Sequence, residues 1–321
     1  MEYTPILKQA ASIMWKHKVL WVLSFFATGS IYNIYLIFPT TAFGPEMDIQ
    51  GLEALFAENL FLIFGASFAA LLLFIAFWVL SLAAQGGLVR LVADADSGVA
   101  VRGRTGWKTG FGLLGRIFLL MIVLFVPYAI VAAVVTGLIA APLLLAGMEE
   151  DLSGPFLVFC GGMMIGGPLL IVGGILLDML SHLGLRHIVL GDLSVIRSIG
   201  QAWRDLRARF KDVVVMWLLL FVISIIVWGI MTSGTVLLEA IQTFVTQFSF
   251  WGAVAVGFLD FLLLTAGAVI WWSFHSGAWT LFFRRAELSA EPTQSVAAPS
   301  PLPVAETPAP VNPAPAPTID G

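Results

Sequence analysis

Six stretches of this chain, at about 19–39, 60–88, 113–146, 156–185, 213–238 and 252–283, are nearly unbroken apolar runs. Each is long enough to cross a hydrocarbon core of roughly 30 Å, which takes about 20 residues at the helical rise. No water is available at that depth for backbone N–H and C=O groups, so a crossing segment must satisfy them internally, as a helix does. The 321 residues are 59% hydrophobic and 11% charged, and mean hydropathy is +0.96, whereas roughly a quarter of a soluble domain is charged. The expectation is an all-α, polytopic membrane helical bundle of six transmembrane helices within residues 1–286. The first run follows Lys16 and Lys18, exceeds a signal-peptide core and lacks a small-residue cleavage site, so it is read as a retained span.

The charges between the runs alternate. All sixteen Lys and Arg residues fall at the N-terminus, in the second and fourth loops, at the end of the last run, or beside them. The other loops are acidic: 40–59 carries Glu46, Asp48, Glu53 and Glu58, and 147–155 carries Glu149, Glu150 and Asp151. By the positive-inside rule both termini are cytoplasmic, in what reads as a multi-pass protein of the bacterial inner membrane. The basic residues hug membrane boundaries, which points to anionic inner-leaflet lipid rather than nucleic acid. A single cysteine, Cys160, rules out an intramolecular disulfide or a cysteine-clustered metal site.

A faint repeat runs through the chain. QGGLVR (85–90), HLGLRH (182–187) and HSGAWT (275–280) each place a polar anchor two residues before a glycine. The anchors Gln85, His182 and His275 stand 97 and 93 residues apart, near the basic end of the even-numbered runs. This spacing predicts three tandem hairpins, with the anchors pointing inward and Gly87, Gly184 and Gly277 packed on neighbouring helices.

Each hairpin is preceded by a basic, aromatic segment: ILKQAASIMWKHK, RGRTGWKTGFG and SVIRSIGQAWRDLRARFK. In the third, Ile196, Ile199, Trp203, Leu206 and Phe210 recur at helical steps, with Arg197, Arg204, Arg207 and Lys211 largely elsewhere. This predicts an amphipathic elbow at the cytoplasmic interface, its apolar stripe in lipid and its cations on headgroups, with Asp192 or Ser194 as cap. An elbow that only orients the next span is the plainer reading. The second segment, with four glycines, predicts a poorer helix. After Arg285 the chain turns to Ala, Pro, Val and Thr, with nine prolines between 292 and 317; residues 287–321 are expected to be a disordered cytoplasmic tail.

Asp178, His182 and Arg186 fall on one helical face at steps of four. A carboxylate in hydrocarbon costs about 2.5–3.5 kcal/mol, so Asp178 needs a partner, and His182 and Arg186 are nearest in sequence. With Gln85 and His275 they form the candidate intramembrane polar cluster. It suits a structural hydrogen-bonded layer, a path for an ion, proton or solute, or a headgroup site. Because the polar groups sit near one end, a sealed core is expected. His182 and His187, five residues apart, point away from each other and cannot share a metal. Asp260 and Glu239 are read as solvated boundary residues. Gly162 and Gly166 have the small-xxx-small spacing of a helix-packing face.

No nucleophile elbow, zincin helix, phosphate loop or dinucleotide fingerprint occurs, so no catalytic residue, metal ligand or cofactor is expected. At IVLGDLSVIRSIGQAWRDLRARF (188–210), with Asp192, Ala202, Trp203, Leu206, Arg207 and Phe210, the sequence resembles bacterial membrane families that include the membrane domain of some glycerophosphoryl diester phosphodiesterases. The resemblance implies a six-helix inner-membrane protein, without the phosphodiesterase activity, since no soluble catalytic domain accompanies it here. The reading is a non-enzymatic module that interacts with lipid or scaffolds a membrane or cytoplasmic protein partner. A small-solute or ion transporter or channel is the alternative.

Overall fold

The computed structural model describes residues 2–29, 49–146 and 153–288. Among them are eight helices and no strand: α1 (Tyr3–Lys16), α2 (Val19–Ala27), α3 (Ile49–Asp96), α4 (Gly103–Ala146), α5 (Ser153–Val189), α6 (Val195–Ala208), α7 (Phe210–Thr246) and α8 (Phe250–Leu288). Five of them, α3, α4, α5, α7 and α8, are long and apolar enough to cross a membrane. The expected first span is represented by the nine residues of α2, and its part beyond residue 29 lies outside the described residues, as do residues 40–48 and 147–152 of the acidic loops and the tail beyond residue 288, while 49–59 of the first acidic loop open α3. The chain divides into a compact unit of residues 1–284 and a second of 285–321.

The elbows differ from one another. α1 and α6 are separate short helices, broken from the next helix at His17–Lys18 and at Arg209. The second segment is not a separate or weak helix: it forms the first turns of α4. Its glycines explain the difference. A Cβ on Gly110 would overlap the carbonyl oxygen of Ala83 in α3, and one on Gly87 would stand 2.6 Å from the carbonyl oxygen of Gly106. The two backbones touch there because neither carries a side chain, and the packing outweighs the low helix propensity of glycine. The other packing glycines are graded. On Gly166 a Cβ would meet Ile139 at 2.5 Å and on Gly162 at 3.0 Å, whereas Gly184 would meet Leu120 at 3.3 Å and Gly277 would meet Ala10 at 3.6 Å, an ordinary contact. The three repeat glycines are therefore not equivalent.

Helix α8 occupies the centre. Of its most apolar window 39% is buried, against 17% or less for the other four long helices. Ser273 shares a 2.6 Å hydrogen bond with Ser24 of α2, Arg284 pairs with Asp96 of α3, and Gly277 packs on α1. Protein surrounds the basic-end half of α8, where Ala278, Trp279, Leu281 and Phe282 are buried, while Trp251, Phe258 and Leu259 toward its other end are exposed. At the basic end polar contacts lock α1 down: Gln9 donates to Asp96 at 2.6 Å and the Tyr3 hydroxyl to Asp212 at 2.7 Å. Burial and the Asp212 carboxylate push the Tyr3 phenol up to about 12, so this bond keeps its proton at neutral pH.

Two boundary expectations are overturned. Asp260 is buried, 2% exposed, with one carboxylate oxygen unpartnered, while Glu239 is exposed as expected. Asp260 lies on a buried side of α8, although its neighbours Phe258, Leu259 and Leu262 are exposed. Asp192 does not cap α6. It adopts φ +49° and pairs with Arg116 of α4, leaving Ser194 at the N-cap position without a side-chain bond.

Candidate intramembrane polar site

Helical spacing brings Asp178, His182 and Arg186 together, and their neighbours lock them in order. The His182 ring stands between the two charges, with Nε2 3.4 Å from Asp178 Oδ1 and Nδ1 3.3 Å from Arg186 Nη1. Because the guanidinium can only donate, Nδ1 accepts, and the ring proton sits on Nε2 facing the carboxylate. Arg186 is 1% exposed; Nη1 also donates to His182 O at 2.6 Å, and Nη2 donates to Ser276 O of α8 at 3.2 Å. Its Nε has no partner. The remaining partner of Asp178 comes from a helix that spacing along α5 does not reveal: Trp217 of α7 donates its indole N–H to Oδ2 at 3.1 Å.

The other two anchors join this ladder. His275 packs its ring edge-on against His182, with centroids 4.9 Å apart, and His182 stacks on the buried Trp279 at 5.2 Å. Gln85 reaches the same place from α3, lining a cavity of about 170 Å³ together with Asp178, His182, Arg186, His275 and Ser276. A second cavity, of about 270 Å³, shares Asp178, His182, Trp272 and His275 with the first and is walled further by Trp217, Trp228 and Trp271. Both spaces border the outer surface of the bundle, since Phe125 at the rim of the first is 42% exposed, and Phe221 and Trp228 beside the second are 46% and 41% exposed. The space follows from packing four indoles and two imidazoles, rigid planar groups, around charged side chains. No family model, curated protein or solved structure matches the chain.

His187 belongs elsewhere. Its Nε2 lies 2.7 Å from Asp205 Oδ2 of α6, and its ring packs edge-on against Phe283. The two histidines of HLGLRH thus serve separate contacts, and no metal-binding cluster occurs among the described residues.

That contact orients α6 and corrects its expected stripe. The buried row is Val195, Ser198, Ala202 and Leu206, against the protein, while Ile196 is 81%, Trp203 44% and Phe210 52% exposed. The helix is turned by about a quarter turn from the orientation in which all five stripe residues would face lipid. The small Ser198 and Ala202, both fully buried, allow the close seat. Three faces result: one on the protein, a narrow apolar strip, and an exposed basic face. Arg197, Arg204, Arg207 and Lys211 are all exposed, with the Arg207 guanidinium 6.0 Å from the Trp203 ring.

Proposed function

We propose that the protein is a six-span, non-enzymatic lipid-interacting module of a bacterial inner membrane, built as three hairpins with both termini cytoplasmic. The observation that carries this reading is the pair of cavities around Asp178, His182 and His275, which open beside lipid-facing aromatic residues. A polar recess reached from the side of a bundle suits the headgroup of an amphiphile, which enters with its chains still in hydrocarbon. The lining residues that α5 and α8 contribute lie in the basic-end halves of those helices, a depth that suits one leaflet. The test is native mass spectrometry of protein purified in mild detergent. Co-purified phospholipid is expected, with a lower melting temperature after delipidation. Protein that holds no lipid, or proteoliposomes that show saturable solute flux, would favour the transporter instead.

Orientation is tested with single cysteines at positions 153 and 295 in a Cys160→Ser background. An impermeant reagent on intact cells should label position 153 and spare position 295; the reverse pattern overturns the assignment.

The basic face of α6 supports contact with anionic inner-leaflet lipid, at about 1 kcal/mol for each Lys or Arg near the surface. Amide exchange of α6 should be slower in nanodiscs of anionic lipid than of neutral lipid. The difference should vanish in the Arg197→Gln, Arg204→Gln, Arg207→Gln variant and shrink with salt. Equal exchange in both lipids removes the electrostatic role and leaves a packing elbow.

A further inference from the structure

The polar site has two chemically opposite ends. At one, Arg186 uses three of its five N–H groups on His182 O, His182 Nδ1 and Ser276 O. Nε–H and one hydrogen of Nη2 remain, two charged donors on adjacent nitrogens that can be met by the oxygens of a phosphate. The side chain is 1% exposed, borders the smaller cavity, and its Nε is unpartnered. At the other end Asp178 keeps acceptor capacity beyond Trp217 and His182, its side chain is 48% exposed, and the larger cavity beside it is walled by indoles. A carboxylate among indole faces attracts an ammonium.

The two charges do not neutralise each other directly, because the His182 ring separates them. From Asp178 Oδ1 to Arg186 Nη1 the path is one ring and two polar contacts, roughly 9 Å at most, and the remaining donors on Nε and Nη2 lie within roughly 2 Å of that nitrogen. An anion alone would leave Asp178 without a cation, and a cation alone would leave the Arg186 edge empty. A ligand carrying both charges satisfies both. An ammonium joined to a phosphate through two carbons, with one hydrogen bond at each end, spans about this separation.

We propose that the paired cavities form one dipolar site for an ammonium phosphodiester, the headgroup of an ethanolamine phospholipid, with its phosphate on the free edge of Arg186 and its ammonium at Asp178 among Trp217, Trp271 and Trp272. The identity of the ligand as a lipid rests on the reading above; the pairing of charges does not. The acyl chains, carried on the phosphate side, leave past Met121 and the exposed Phe125 into the bilayer.

The full-length protein, delipidated in detergent, is titrated with phosphatidylethanolamine, with phosphatidylglycerol, which has the same phosphate and no ammonium, and with soluble glycerophosphoethanolamine. Binding is counted by native mass spectrometry, with the melting temperature as second readout. The ethanolamine lipid should bind about tenfold tighter than the glycerol lipid, and Asp178→Asn should bring the two within about twofold. Arg186→Lys, which keeps the charge and loses the paired donors, should weaken both lipids alike. Equal affinities in the unaltered protein, or a preference that survives Asp178→Asn, overturns the dipolar site and leaves the lipid reading standing. Binding of neither lipid nor soluble headgroup overturns both. Glycerophosphoethanolamine binding as tightly as the lipid supports the dipolar site and removes the lipid reading.

Discussion

Gly110→Ala destabilises the protein by about 1–3 kcal/mol, the cost of forcing extra volume into a packed contact. The new Cβ would overlap the Ala83 carbonyl oxygen, a backbone atom in the middle of α3 that cannot rotate away. Relief requires separating α3 from α4, which also loosens the contact of Gly87 with Gly106 one to two turns away. The control is in the same segment. Gly112 is exposed with nothing within 4 Å of its added Cβ, so Gly112→Ala should leave stability unchanged or raise it by up to about 1 kcal/mol through helix propensity. Thermal unfolding of both variants in detergent measures the contrast. Equal effects at the two positions would mean that α3 and α4 do not meet through Gly110.

Arg186→Met should cost about 1–3 kcal/mol, because it removes the cation that faces the half-exposed Asp178 through the His182 ring and leaves His182 O and Ser276 O without their donor. Methionine fills much of the arginine volume, so the loss is mainly electrostatic, together with the unmet Nδ1 of His182. The informative variant is the double one. Replacing both charges, with Arg186→Met and Asp178→Asn, should recover part of the stability, since no carboxylate is then left facing a missing cation while the hydrogen bonds of Arg186 stay lost. Melting temperatures of the two single variants and the double variant close the cycle. Additive losses would show that the two residues act independently despite sharing His182.

Much of this arrangement was readable before any coordinates. Asp178, His182 and Arg186 align because helical steps of four admit no other geometry, and Gln85 and His275 line the same cavity. Separation of His182 from His187 follows from the same geometry. The partner of Asp178 was not readable, because Trp217 lies 39 residues away on another helix and resembles any interfacial tryptophan. The quarter-turn of α6 was missed for a related reason: its stripe was chosen by hydrophobicity, whereas the buried row is chosen by fit and includes Ser198.

What the sequence determined alone is everything the bilayer dictates as a solvent: helices of spanning length, charges gathered at the ends, and the polar ladder along α5. The tertiary structure decided which faces of those helices meet. Lipid chains and a helix interior are equally apolar, so no polarity pattern separates a lipid-facing side from a packed one. Hence the central place of α8, the burial of Asp260, the backbone contact at Gly110 and the two cavities beside His182 emerge only when shape and close packing choose one arrangement among helices of similar hydrophobicity.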